Sequence, residues 1–348
     1  MVFCKTASSA VALTVTLTVL AGCGGGSTGF DFQSGTQTFD GATSAAHPHR
    51  ERSWMEPDAQ KRLSLLYISN AGSSSVTVYT YLNGGGLLLV GTLTGFSSLA
   101  GMCSDSAVDV WITDYRARKI FEYAHGGTTP IFTIGEHTGF PYDCAVDPTT
   151  GDLAVSHQHP NGHYQAFGDV VVYPKGSRKG VAHTISPYGF SDVFFVAYDN
   201  MSNLYVDGTP CGYWDCYTGS EPAGLFTLVK NGSDFTPLTL SGATLYQPGA
   251  ISWVSPTLLL GDQDFQEQGT SGAYKLFVSG STATLVGSLS FDGTQQAGGF
   301  WRRAGRVIVP DRTGNAVRVY NLSDGSLFST LTTGISSPFG AVVSESGR

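Results

Sequence analysis

From about residue 64 onward, apolar residues come in short runs broken by Gly, Pro, Asp or Asn, and no stretch sustains the spacing of a helix. The segment FPYDCAVDPTTGDLAVSH, Phe140 to His157, shows the unit. An apolar run at Cys144, Ala145 and Val146 ends at Asp147-Pro148, a Gly-Asp turn follows, and Leu153-Ala154-Val155 begins a second run. That pattern predicts two short strands around a tight turn. The second strand recurs as LLYISN (Leu65 to Asn70), DVWITD (Asp109 to Asp114), DLAVSH (Asp152 to His157), NLYVDG (Asn203 to Gly208), TLLLGD (Thr257 to Asp262) and RVIVPD (Arg306 to Asp311). A third strand follows each copy, as in VTVYT at Val76 or VVVYP at Val170. A poorer fourth strand comes next, and then a Gly/Pro/aromatic junction.

The last residues of the six copies fall roughly 43 to 54 positions apart. Four strands at such a period are the mark of propeller blades, which cannot bury both faces alone and so pack in a ring. The expected fold is therefore all-β, a six-bladed β-propeller of four-stranded antiparallel blades over residues 63–348. The first strands are LAGMCSD, YDCAVD, DVFFVAYD, GAISWV, GGFWRR and FGAVVS. The last of these, from Phe339, has no second strand after it, while the copy at Leu65 has no first strand before it. Closure by pairing of this C-terminal strand with the first blade removes the open edge.

Many glycines and aromatics with few charges fit short strands and tight turns. The net charge of -8, with no basic cluster after residue 62, excludes nucleic acid as a partner. The N-terminus has one Lys, Lys5, and then an uncharged stretch to Gly22, the layout of a secretory signal peptide. It ends in Leu20-Ala21-Gly22-Cys23, which resembles the lipobox of bacterial lipoproteins. By that resemblance residues 1–22 are a signal peptide and Cys23 carries the lipid. The protein is then exported and anchored in the cell envelope, and Gly24 favours the outer membrane or cell surface. Residues 23–62 read as a flexible Gly/Ser/Thr-rich tether, with Trp54 and Met55 expected to dock on the domain.

The aligned order of first strand, Asp, turn, second strand ending in Asp and third strand resembles NHL-type six-bladed propellers. The whole chain is similar to a group of bacterial lipoprotein propellers sharing the phrases GTLTGF and YAHGGTTPI. The resemblance implies fold and location and brings no activity.

Function is expected on the face that carries the second-to-third-strand loops. Three consecutive blades enlarge these loops, at 157–169, 208–223 and 262–273. Trp214, Tyr213, Tyr217, Tyr164 and Phe265, with His163, Asp215 and Asp264 as polar contacts, form the expected platform for a glycan, peptide or protein partner. His157, His159 and His163 have a spacing open to a metal. However, His157 occupies the repeat position of Asn70, Asp114, Asp262 and Asp311, whose task is to bond turn N–H groups. No cofactor or metal is assigned. Two other classes stand beside the binding module: a metal-dependent lactonase or esterase at the central channel, and a structural envelope protein. No first strand carries a Glu and no nucleophile motif occurs, so binding is preferred over catalysis. Four cysteines remain in the exported part and permit three connectivities. Spacing favours Cys211 with Cys216 and Cys103 with Cys144, and zinc at Cys211/Cys216 is the alternative.

Overall fold

The computed structural model describes residues 52–82, 87–136, 139–158, 168–185, 189–210 and 223–345. Among these residues the regular structure is strand, apart from single 3-10 turns at Ala59–Lys61 and Phe265–Glu267. In the second repeat unit, Leu99–Ser104, Val110–Asp114, Lys119–Tyr123 and Pro130–Gly135 pair in that order as an antiparallel meander. The third unit (Phe140–Val146, Leu153–Gln158, Asp169–Tyr173, Val181–His183) has the same order. So has the sixth (Trp301–Arg303, Arg306–Asp311, Ala316–Asn321, Leu327–Leu331). The aspartates that close the first strands make the turns. Asp105 Oδ1 accepts the N–H groups of Ala107 and Asp109, Asp147 that of Thr149, and Asp199 those of Met201 and Asn203.

The seam closes as the missing first strand implied. Pro338–Glu345 pairs antiparallel with Ser64–Asn70 and becomes the inner strand of the first sheet. His125 fastens the same seam, its Nδ1 lying 2.6 Å from Ser344 Oγ and its Nε2 donating to the Arg62 carbonyl at 2.9 Å. The sheet also gains a fifth strand, since Trp54–Met55 pairs with Leu89–Leu93 and Ala59 is fully buried. Ordered structure on the domain thus begins ahead of residue 63, because the outer strand offers unpaired backbone that this arm satisfies.

The fourth and fifth units depart from the expected separate sheets. Thr236–Ser241, outermost in the fourth, pairs parallel with Thr282–Ser290, outermost in the fifth, and the two meanders become one eight-stranded sheet. Two outer edges brought together satisfy each other's backbone groups, as when Thr239 N–H donates to the Ser281 carbonyl at 2.8 Å.

The inner strands pack side by side about a common axis. Pro338–Glu345 meets Leu99–Ser104, which meets Phe140–Val146, followed by Phe190–Tyr198 and Pro248–Val254, while Trp301–Arg303 meets Pro338–Glu345. Sheets radiating in this way form a β-propeller. Each sheet is covered on both sides, so second strands such as Leu65–Asn70 are buried along nearly their whole length.

Candidate functional site

In most copies the last two residues of the second strand organise the loop face and the centre of the ring. The last residue acts on the inter-blade junction. Asp114 accepts the N–H groups of Ser97 at 2.7 Å and Ser98 at 2.9 Å, and Asp262 those of Tyr246 at 3.0 Å and Gln247 at 2.9 Å. Asn70 does the same for Ser336 at 2.9 Å. The residue before it links neighbouring sheets. Ser69 Oγ donates to the Ala100 carbonyl and accepts from Gly340 N–H, and the single Thr113 hydroxyl proton is shared between the Gly101 and Tyr142 carbonyls at 2.9 and 3.0 Å. Ser156 Oγ donates to the Phe194 carbonyl at 2.6 Å, and Asp207 Oδ1 accepts from Phe195 N–H at 2.7 Å. This polar ring went unnoticed in the sequence, although Ser, Thr, Ser and Asp stand in register one residue before the end of four consecutive copies.

Inside that ring the centre is aromatic. Tyr142 meets Phe194, Phe195 and Phe339 edge to face, with centroids 5.2 to 5.7 Å apart. At Gly298 the backbone passes so close to the Phe339 carbonyl that any Cβ would collide with it. Two carboxyls lie in this region, Asp143 and Asp207, both buried. Burial pushes Asp143 up to about 7 against the pull of the Val196 and Cys144 N–H groups. Burial also drives Asp207 well above the usual carboxylate range, and the nearby charge of Asp143 adds to this. Both are tied into backbone contacts between strands and so serve the architecture.

At the channel mouth, half-buried aromatics face the loop side. Tyr115 and Phe140 are 5.0 Å apart, and the Arg118 guanidinium lies 4.2 Å over the Phe140 ring. Asp192 stands close enough to Tyr115 that, after burial, its charge helps push that hydroxyl up to about 12, with Arg116 opposing.

His157 replaces the usual acid or amide at its repeat position, and its surroundings are inverted to match. Its Nδ1 lies 3.1 Å from Asp169 and its Nε2 3.5 Å from Glu136. Tyr173 Oη donates to Glu136. Burial works against a charged ring, but bonding to Asp169 and Glu136 outweighs it and raises His157 to about 9. At neutral pH it is an imidazolium between two acids, a structural ion cluster. Its position thus has a counter-ion role in place of the turn-bonding one shared by Asp114 and Asp262.

Of the expected platform, Phe265 and Asp264 fall within the described residues. Phe265 is buried against Tyr274, at 5.0 Å between centroids, so this aromatic packs its own loop and offers little exposed surface. Asp264 accepts Gly269 N–H at 2.9 Å and holds the same loop closed. Tyr164, Tyr213, Trp214, Asp215, Tyr217, His159, His163 and the Cys211–Cys216 pair lie outside the described residues, as does Cys23. Cys103 and Cys144, on adjacent inner strands, form a disulfide with Cα atoms 5.6 Å apart. On the opposite face, which carries the first-to-second-strand turns, a cavity of about 140 Å³ is lined by Trp111, Phe132, Tyr173, Glu122 and Lys175. Burial, with Asp105 and Asp109 beside it, pushes Glu122 up to about 7 against the pull of Lys175.

No protein-family model matches the chain, and no curated protein matches it. Solved structures do. A chain of the nidogen/laminin complex is 14% identical with a TM-score of 0.61, covering 82% of this chain and 100% of that one. A gluconolactonase from Xanthomonas campestris is 12% identical with a TM-score of 0.53, covering 86% of this chain and 90% of that one. At these identities the likeness is one of fold, and it agrees with the ring of sheets: this chain is a β-propeller.

Proposed function

We propose that the protein is an exported, lipid-anchored six-bladed propeller that binds a glycan, peptide or protein partner on its loop face. The count of six takes the eight-stranded sheet as two blades joined along their outer strands. The lipid sits on Cys23, and the NHL-type lipoprotein propellers are the kin. The observation that carries binding over catalysis is the division of labour at the centre. The acids Asp143 and Asp207 are buried in contacts between strands, whereas the mouth presents Tyr115 and Phe140 with Arg118 and Asp192 at its rim. Aromatic platforms with a few charges suit recognition, because rigid rings bury area at little entropic cost. The enlarged loops of blades three to five extend that platform, with Trp214 as its main anchor.

The test is a glycan and peptide array probed with the full chain, alongside a panel of lactone substrates. A binding hit that weakens tenfold or more in Phe140→Ala or Trp214→Ala supports the reading. Lactone hydrolysis abolished by Asp143→Asn, with no array hit, overturns it in favour of the hydrolase.

A further inference from the structure

Large apolar side chains exposed among the described residues are not evenly spread. Of 14 such residues, 6 gather at the turn-face end of the first and sixth units: Leu63, Leu82, Leu88, Leu89, Leu327 and Phe328. Four of them are half or more exposed, Leu63 at 74%, Leu88 at 64%, Leu82 at 62% and Leu327 at 50%. Register brings the first-unit members together. Tyr81 N–H donates to the Ser64 carbonyl, and Thr80 N–H to the Leu88 carbonyl, so residues 63, 82 and 88 share one end of one sheet. The sixth unit adjoins it, since Tyr81 packs in one hydrophobic cluster with Ile308, Val319 and Leu331. Arg306 in turn lies 4.1 Å over the ring of Phe328.

Charge at this end is balanced although the chain carries -8. Asp58 pairs with Lys61, Glu56 with Arg62 and Glu345 with Arg303, and Asp324 lies in the field of Lys275. Arg306 adds a cation on an aromatic ring. On the second unit of the same face, Asp105, Asp109 and Glu122 bring three carboxylates close together. One end is thus apolar and neutral to basic while its neighbour is acidic. Single exposed leucines need no explanation, but a cluster on two adjoining sheets marks a contact surface.

We propose that this end of the first and sixth blades rests on a lipid bilayer surface, an inference that depends on the lipid-anchored reading above. The occupant is argued from the chain that precedes the described residues. Cys23 is separated from Arg52 by about 28 residues, a contour of ~90 Å, ample for a domain to touch the membrane in which its anchor sits. The arm ending in Trp54–Met55 joins this same first sheet. The lipid on Cys23 holds the chain at the bilayer, and an apolar or basic contact of the domain itself then fixes which face meets the surface. Leucines flanked by Arg306 and Lys61 have that composition, and the acidic second blade keeps the contact to one side of the turn face. The loop face is then turned away from the membrane, toward its partner.

Two measurements separate the two readings. Detergent-phase partition of the wild-type chain against Cys23→Ser tests the anchor alone. Hydrogen exchange of the full chain, with and without vesicles of phosphatidylethanolamine containing a minority of phosphatidylglycerol, tests the face. Exchange at residues 62–64, 80–82, 87–89 and 322–328 should slow about threefold or more on vesicles, while residues 115–118 and 312–315 stay unchanged. The triple variant Leu63→Asp, Leu88→Asp, Leu327→Asp should lose this slowing yet keep its melting temperature and its detergent-phase partition. Equal exchange with and without vesicles, slowing confined to the loop face, or slowing that follows protein concentration without vesicles overturns the proposal. The last result would make the patch a contact between copies of the chain.

Discussion

The disulfide offers the most direct quantitative check on the architecture. Cys103 and Cys144 lie on the inner strands of neighbouring blades and are 41 positions apart, so the bond encloses nearly one whole repeat. In the chain-entropy description, cross-linking a loop of that length removes about 4 kcal/mol of freedom from the unfolded state. Both sulfurs are buried beside Trp111, Ile120 and Val155, so replacing the pair by alanine adds a small packing loss. For a domain of this size about 4 kcal/mol corresponds to roughly 6 °C in melting temperature. Scanning calorimetry of the wild type and of Cys103→Ala/Cys144→Ala, at one scan rate, measures the difference. A reductant should lower the wild type toward the variant and leave the variant unmoved. A shift under about 2 °C, or an equal response of both proteins to reductant, would refute the reasoning that this bond constrains the unfolded ring.

Other consequences follow from the same contacts. His157 is held above its ordinary value, so its contribution is complete below about pH 6.5 and lost as pH rises through about 9. Melting temperature should therefore fall across that window in the wild type and fall less in His157→Asn. Deleting residues 338–348 strips the inner strand from Ser64–Asn70 and removes Phe339 from the aromatic centre, so size-exclusion chromatography should show aggregate in place of monomer. Asp207→Ala orphans the Phe195 N–H and should cost on the order of 1–3 kcal/mol in urea unfolding. Asp207→Asn keeps an acceptor and should cost far less.

Much of the fold is legible from local patterns. The strands from Leu65 to Arg306 and the turn aspartates Asp105, Asp147 and Asp199 announce themselves through apolar runs and turn chemistry. The closing strand at Phe339 follows from counting first and second strands. What escaped depends on geometry between distant segments. The parallel pairing of Thr236–Ser241 with Thr282–Ser290 arises from how two repeat units lie against each other, which neither strand encodes alone. Trp54–Met55 forms a strand of two residues, too short for any period to show. Phe265 has the composition of a surface anchor, and only the fold shows it turned inward against Tyr274. Ser69, Thr113, Ser156 and Asp207 did leave a signal. It is a polar residue repeated in register within an apolar run, where burial obliges it to bond.

That polar ring also bears on the proposal that the working surface is at the rim. Each of these side chains ties a bulge in its own blade or the inner strand of the next, so the positions nearest the axis are committed to holding the ring. Ser156, for instance, accepts from Asp143 N–H at 3.0 Å and donates to the Phe194 carbonyl across the blade boundary. Tyr142, Phe194, Phe195 and Phe339 then fill the space those bonds enclose. A ligand reaching the axis would have to displace packed rings and bonded carboxyls together, at a cost that recognition does not recover easily. The side chains of Tyr115, Phe140, Arg118 and Asp192 stand one layer further out, where they are half-buried. On the proposed binding reading, side-chain change there should alter what is recognised while leaving the bonds of Ser69, Thr113, Ser156 and Asp207 in place.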